Sequence, residues 1–265
     1  MSISEFLIEP HQIPAMPHII VKALSVIKDE EAGMRDIAKI ISYDQALCTQ
    51  ILTLVNSAYY SFQQQILSVE HAIPLIGLKQ VKNMVMSVGM KSMLTNAGGK
   101  TLWEHSIRCG VAAEYIAKEL KLMNPDDAFM VGFLHDIGKI LLYKKSPVMY
   151  LKVEELINRG LDSLEAEQIF FKTNHAEVGF MLASKWKLSI IISNAIKYHH
   201  DPLKSSMVNV ATLVYYADKL VSNPLKRLAF STLVEEKTNI RIPSPESYRE
   251  EIMARSGLLL AQLMN

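Results

Sequence analysis

Cysteine is almost missing from this sequence: Cys48 and Cys109 are the two in 265 residues. That is too few for a disulfide framework, and their helical contexts read as small buried apolar side chains in a reducing compartment. No stretch of about eighteen uncharged apolar residues occurs, and Met1 to Pro10 lacks a basic segment followed by an apolar one. Neither a membrane span nor a secretory leader is expected, and the cytoplasm is the expected location. Charge of one sign is lacking too, with 28 Lys and Arg against 27 Asp and Glu and a net charge of +1. The basic excess that nucleic acid binding draws on is absent, so nucleic acid is not an expected partner. Runs of alternating β-branched residues and Asn-Gly turns are missing, which argues against sheet. What is present is a 49% apolar composition, enough for a large core, and the expected class is all-α.

Periodic apolar positions outline two helical lobes. In the first, Pro14 and Pro17 open a helix with Ile20, Ala23, Leu24 and Ile27 on one face, ended by the charged turn Asp29 to Gly33. A second helix places Ile37, Ile40 and Ile41 together. Asp44 and Ser68 precede later runs as N-caps, because a short side-chain oxygen accepts from the free amides of a first turn, and Gly77 is the expected stop after Ser68. Asn96-Ala97-Gly98-Gly99-Lys100 interrupts the pattern with small residues. It is the expected boundary, giving lobes over 1–98 and 99–225 and a tail over 226–265.

In the second lobe Trp103 to Leu120 reads as one helix. Asn124-Pro125-Asp126-Asp127 starts the next, with Asn as cap, Pro at the first position and two carboxylates at the positive end of the dipole. That helix runs into Leu134-His135-Asp136 and meets Gly138. Asn174 with Glu177 three residues later resembles a capping box. Ser189 caps a helix carrying Tyr198, His199 and His200 that Pro202 ends, and Asp218 lies in a helix from Val208 to Leu220. A terminal helix around Ile252 and Leu258 to Leu260 is expected to pack back on the body.

Seven polar residues of the second lobe have types suited to a metal: His105, His135, Asp136, His175, His199, His200 and Asp218. Imidazole and carboxylate together suit one or two divalent ions such as iron, manganese or zinc, while the lack of nearby cysteines argues against a closed structural zinc site. Adjacent helical residues point about 100° apart. The pairs His135-Asp136 and His199-His200 can therefore each face one centre only where helices converge, as they do inside a bundle. There Asp136 would bridge two metals about 3.5–4 Å apart that activate water and clamp a phosphate, and Lys139, one turn on, would neutralise a phosphoryl oxygen. Asp136 and Lys139 are thus the catalytic candidates.

Each of these residues also has a plainer reading. His105 alone is an ordinary histidine, Asp218 a polar contact within a helix pair, His199-His200 a helix end complementing its dipole, and Lys139 a solvated cation. His-Asp-Ile-Gly-Lys in apolar surroundings is harder to explain this way, since burying His135 and Asp136 without partners is costly.

The stretch Gly132-Phe133-Leu134-His135-Asp136-Ile137-Gly138-Lys139 resembles the signature of the HD superfamily of metal-dependent phosphohydrolases. Four segments of the first lobe are more specific: Ile13-Pro14-Ala15-Met16-Pro17, Tyr43-Asp44-Gln45-Ala46-Leu47, Asn56-Ser57-Ala58-Tyr59-Tyr60 and Ala72-Ile73-Pro74-Leu75-Ile76-Gly77-Leu78. In that order they resemble the HDOD domain, the HD-related output domain of bacterial signalling proteins. His175-Ala176-Glu177-Val178-Gly179, the Trp186 region and His199-His200 continue the likeness, which covers roughly residues 9 to 222.

The resemblance implies an all-helical, two-lobe protein of bacterial signal transduction, with other signalling proteins as partners, in a family without a generally established reaction. Many members have lost metal ligands. Here the seven residues match the ligand order of the related HD-GYP phosphodiesterases, which cleave cyclic di-GMP at a two-metal centre. After His199-His200, however, the chain reads Asp201-Pro202-Leu203-Lys204 and lacks the Gly-Tyr-Pro element of that family. Where some of its members place a carboxylate for a third metal one turn before the first histidine, this chain has Thr101, with Glu104 facing elsewhere, so two metals at most are expected. Asn56-Ser57-Ala58 reads as a helix-ending turn at the lobe interface.

Three readings follow: a regulatory module binding metal and a phosphorylated small-molecule or nucleotide ligand, a working metallo-phosphohydrolase or phosphodiesterase, and a metal-free helical scaffold. The retained ligand set favours metal over the scaffold, and the missing substrate loop favours regulation over turnover.

Overall fold

The computed structural model describes residues 14–18, 20–21, 34–222 and 230–264. Ala23, Leu24, Ile27, the turn Asp29 to Gly33 and the side chain of Ile40 lie outside the described residues, while Ile20, Ile37 and Ile41 are buried. Among the described residues there are thirteen α-helices and no strand, as the sequence leads one to expect.

The N-terminal helices are short. They are α1 (Met34–Ser42), α2 (Gln45–Val55) and α3 (Val69–Ile76). Asp44 accepts from the Leu47 amide and Ser68 from the His71 amide, each satisfying a first-turn donor. Gly77 ends α3 with a positive φ of 85°. The turn after α2 is clamped by Asn56, whose side chain donates to the Ile66 carbonyl and accepts from the Ile66 amide, both at 2.7 Å.

The expected break at Asn96 to Lys100 is not a break in helix. One element, α4, runs from Leu78 to Leu120, and the small residues are accommodated within it by a single left-handed residue, Gly99, at φ 65°. Nor do the lobes have separate cores. Buried side chains from Ile20 through Leu54, Met90, Phe133 and Ile196 to Leu263 form one continuous apolar body. A second cluster fills the space between the end of α4, α11 and the C-terminal segment.

The rest of the chain wraps the second half of α4. In order come α5 (Pro125–Leu134), α6 (Gly138–Lys145), α7 (Pro147–Asn158), α8 (Ser163–Phe171), α9 (His175–Lys185), α10 (Ile190–Tyr198), a 3-10 turn (Pro202–Lys204), α11 (Val208–Ser222), α12 (Thr232–Thr238) and α13 (Pro245–Met264). Asn124 caps α5 through the Asp126 and Asp127 amides, and Ser189 caps α10. Asn174 caps α9 through the Glu177 amide, but the second half of the expected box is replaced: the Glu177 carboxylate accepts from the Thr173 hydroxyl at 2.9 Å. The terminal helix α13 packs back on α4 and α11 and buries Ile252, Leu259, Leu260 and Leu263, as expected.

Two glycines set how closely the helices around the site approach. A Cβ on Gly132 of α5 would overlap the Cys109 carbonyl of α4, and one on Gly138 of α6 would overlap the His175 carbonyl of α9. Only hydrogen fits at these two positions, so α5 is seated on α4 and α6 on α9 at backbone contact.

Candidate metal centre

His135 and Asp136 do not sit inside a helix, as the apolar run around them suggests, but in the turn between α5 and α6. His199 and His200 occupy the turn after α10. His135 and His199 keep right-handed helical backbone angles there (φ −55°, ψ −35° and φ −63°, ψ −22°), so the neighbouring side chains meet one centre because several helices converge on it. His105 reaches that point from α4, His175 from the first turn of α9 and Asp218 from α11. All seven expected residues meet there.

Asp136 stands at the middle and is 1% exposed. Its Oδ2 lies 3.4 Å from His105 Nε2 and 3.3 Å from His135 Nε2, while its Oδ1 lies 3.2 Å from His175 Nε2 and 3.9 Å from His199 Nε2. Each carboxylate oxygen thus faces its own group of imidazoles. On the Oδ2 side, His105 Nε2 is 3.4 Å from His135 Nε2 and 3.3 Å from Asp218 Oδ1. On the Oδ1 side, His175 Nε2 is 3.2 Å from His199 Nε2 and 3.0 Å from His200 Nε2.

The ring orientations are fixed from behind. His135 Nδ1 is 2.7 Å from the Gly132 carbonyl and His199 Nδ1 is 2.8 Å from the Ile196 carbonyl. A carbonyl only accepts, so Nδ1 carries a proton in both rings and Nε2 is aimed inward at the cluster. His175 Nδ1 faces the Glu167 carboxylate in the same way, at 2.7 Å.

The electrostatics divide the cluster. Burial works against ionisation of Asp136, yet His135, Lys139 and His175 hold its carboxyl well below the usual range. Burial likewise opposes Asp218, and the hydrogen bond and charge of His105 bring it well below that range. His199 is driven far down by burial and by His200, His135 and His175, and His200 falls to about 4 through burial and His175. His105 goes the other way: burial opposes its charge, but Cys109, Asp136 and Asp218 carry it well above the ordinary histidine value. One half of the site therefore holds two imidazoles that resist charging, His199 and His200, and the other a histidine, His105, between carboxylates.

Lys139 lies 2.5 Å from Asp136 Oδ2. Burial opposes its charge, and Asp136 more than offsets that, pushing the ammonium up. Its nearest anion is thus a protein carboxylate. A cavity of about 680 Å³ opens onto the cluster, and His105, Asp136, Lys139, His200, Asp218 and Thr101 are among its walls. Thr101 faces this space without a carboxylate to add, and Glu104 pairs with Lys100 at 3.4 Å.

A family model for the HDOD domain matches residues 13–202. The chain belongs to the HDOD domain family. This HDOD chain is similar to an uncharacterised protein of Treponema pallidum, 31% identical over 195 residues, which are 71% of this chain and 38% of that protein. It is also similar to Ribonuclease Y of Streptococcus agalactiae, 31% identical over 124 residues, 47% of this chain and 18% of the enzyme. It therefore spans well under half the length of these relatives. Among solved structures, its fold is similar to that of an HDOD domain protein of Geobacter sulfurreducens (TM-score 0.75, 23% identity, 98% and 95% of the two chains). It is similar also to a candidate phosphohydrolase of Shewanella amazonensis (0.77, 20%, 98% of each) and to a candidate signal transduction protein of Marinobacter aquaeolei (0.78, 18%, 96% and 60%). At these identities the likeness establishes the fold.

Two members of the HDOD site escape a reading of the sequence. Glu167, on α8, is wholly buried and accepts from the His175 backbone amide as well as facing its ring. Eight residues separate the two across a loop, and no periodicity links them. Cys109 was expected to be no more than a buried apolar residue, and cysteine was expected to be absent from the cluster. That expectation is corrected: Cys109 Sγ lies 3.4 Å from His105 Nε2, within the group His105, Cys109, His135 and Asp218. Burial pushes its thiol up to about 11. The signal was available, since i and i+4 share a helix face.

Proposed function

We propose that this HDOD domain is a regulatory output module of a signalling system whose cluster binds one or two divalent metal ions, iron, manganese and zinc being the suited ones. The observation that carries this reading is the inward aim of three imidazoles. With Nδ1 of His135, His175 and His199 committed to acceptors, His175 Nε2 meets those of His199 and His200 at 3.2 and 3.0 Å, His135 Nε2 meets that of His105 at 3.4 Å, and all three rings reach Asp136 at 3.2–3.9 Å. Lys139 and His105 offset the negative charge on the Oδ2 side, but the nitrogens converging on the Oδ1 side repel one another unless a cation lies among them. His105, His135 and Asp218 would hold one ion, and His175, His199 and His200 the other, with Asp136 between the two. An ion that keeps an open position would supply Lewis-acid charge to an anionic ligand.

The cavity has the size of a small-molecule site, and Lys139 on its wall supports a phosphorylated small molecule or nucleotide as the ligand. The near-zero net charge favours other signalling proteins over nucleic acid as macromolecular partners. The test is metal content by plasma mass spectrometry on tag-free protein purified without chelator, beside the His135→Ala, Asp136→Ala double variant. One to two equivalents, lost in a variant that keeps its helical circular dichroism, is the expected result. No metal in either protein after reconstitution would leave a helical scaffold and overturn the proposal.

A second reading, metal-dependent phosphohydrolase or phosphodiesterase activity, is favoured by one specific observation: the cavity reaches Asp136, His105 and His200, so a ligand has access to the cluster. The name of the Ribonuclease Y relative points the same way. In this reading Asp136 organises both halves of the site and Lys139 offsets charge developing on a phosphoryl oxygen. Phosphodiester and phosphomonoester turnover by metal-loaded protein, lost in Lys139→Met with metal content intact, would establish it. No turnover at full metal loading would reject it.

A further inference from the structure

We infer that Cys109 is a ligand of the ion held by His105, His135 and Asp218, which makes that half of the centre a mixed cysteine, histidine and carboxylate site suited to zinc. The inference rests on the metal-binding reading above and adds to it a donor and a choice of ion.

Around His105 the distances are those of a coordination sphere, while His135 Nε2 and Asp218 Oδ1 stand wider apart, at 3.9 Å. Donors about 2.0–2.3 Å from a tetrahedral zinc are separated from one another by roughly 3.3–3.6 Å. Around His105 Nε2 the separations are 3.4 Å to Cys109 Sγ, 3.4 Å to His135 Nε2 and 3.3 Å to Asp218 Oδ1. All four donor atoms lie within 4.8 Å of one another. Cys109 is fully buried, one helical turn beyond His105 on the same face of α4. Gly132 packs so close to its backbone that a Cβ there would overlap the Cys109 carbonyl.

A simple hydrogen bond from the thiol does not account for this arrangement. His105 Nε2 offers one proton or one lone pair, yet the thiol, His135, Asp136 and Asp218 all approach it to within 3.3–3.4 Å. A single nitrogen can satisfy one of these partners, whereas a cation at their centre satisfies every one. Binding exchanges the S–H bond for a sulfur–metal bond and frees the His105 Nε2 lone pair, releasing the thiol proton and the Nε2 proton to solvent.

Two consequences follow. Thiolate favours zinc or iron over magnesium, calcium and manganese. With Asp136 Oδ2 also 3.3–3.4 Å from both imidazoles, protein donors are sufficient to fill this ion's sphere, the arrangement of a structural or sensing ion rather than one with an open position for water.

Cobalt(II) substitution of the full chain tests this directly, because thiolate coordination gives a near-ultraviolet charge-transfer band that imidazole and carboxylate do not. The experiment uses Cys48→Ala, in which Cys109 is the one remaining thiol, together with Cys48→Ala carrying Cys109→Ser. The expected result is the charge-transfer band in the first protein and its loss in the second, with the visible cobalt bands persisting in both. Visible cobalt bands without the charge-transfer band in Cys48→Ala would overturn the assignment of Cys109 while leaving the metal reading intact. Absence of any cobalt binding would overturn both. The Cys48→Ala spectrum decides the question even if the serine variant does not fold.

Discussion

Glu167 holds His175 from two directions: its Oε2 accepts from the His175 backbone amide at 2.7 Å and lies 2.7 Å from the ring Nδ1, with both side chains wholly buried. One carboxylate thereby fixes the start of α9 and the direction of an imidazole aimed at Asp136. Its contact with Nδ1 also makes the ring a stronger donor to a cation.

Replacing Glu167 by Ala removes both acceptors at once. Each buried donor left unsatisfied costs about 1–3 kcal/mol, so a clear fall in Tm is expected. Metal affinity should fall about 10–100-fold, the usual effect of losing the group behind a ligating histidine. Chelator competition on the folded variant measures this, and unchanged affinity would show that Glu167 supports the fold alone.

Gly138 and Gly257 should respond to alanine in opposite directions. At Gly138 the added methyl meets the His175 carbonyl and the Gly179 amide of α9, backbone that cannot rotate away. Pushing α6 from α9 is expected to cost about 1–3 kcal/mol or more and to lower metal content by displacing His175. At Gly257, within α13, nothing lies within 4 Å of the new Cβ, and alanine should stabilise the helix by about 0.5–1 kcal/mol. Urea unfolding of the two variants checks both signs.

Acid should destabilise the metal-free protein before its carboxylates titrate. His199 and His200 are held down in the folded state, His200 at about 4, against an ordinary histidine value of about 6.5. Between those limits the unfolded chain binds more protons, so stability present above about pH 6.5 is lost as pH falls toward 4. His105, raised when folded, acts above this window: its contribution is complete below about pH 6.5 and fades as pH rises through its folded value. His200→Gln should flatten the slope of unfolding free energy between pH 6.5 and 4, measured by urea titration of chelator-treated protein. An unchanged slope would mean that His200 is charged in the folded state.

Asn56→Ala should loosen the turn that follows α2. The Asn56 side chain makes two 2.7 Å hydrogen bonds to the Ile66 backbone and a third, at 2.8 Å, to the Leu52 carbonyl. A loss of about 1–3 kcal/mol and faster amide exchange at Ile66 are expected, without change in metal content. This assigns the first residue of Asn56-Ser57-Ala58 a structural duty, in keeping with its reading as a helix-ending turn.

Much of the fold was legible in the sequence because caps and periodicity are local. Asp44, Ser68, Asn124, Asn174 and Ser189 each accept from an amide two or three residues on, and such contacts are written in the chain itself. The Asn96 to Lys100 segment misled for the same reason. Its small residues weaken helix locally, but helical packing on both sides carries α4 through, at the expense of one left-handed glycine.

The sequence by itself determined an all-α chain, the starts of α2, α3, α5, α9, α10 and α11, and the seven His and Asp residues that gather at the site, since residue type and motif order suffice for those. Tertiary structure alone decided that Asp136 faces two groups of imidazoles with its two oxygens, that Glu167 stands behind His175 and that Cys109 joins His105. These depend on how closely α4, α5, α6 and α9 approach, and that spacing is set by backbone contacts at Gly132 and Gly138 between segments far apart in the chain.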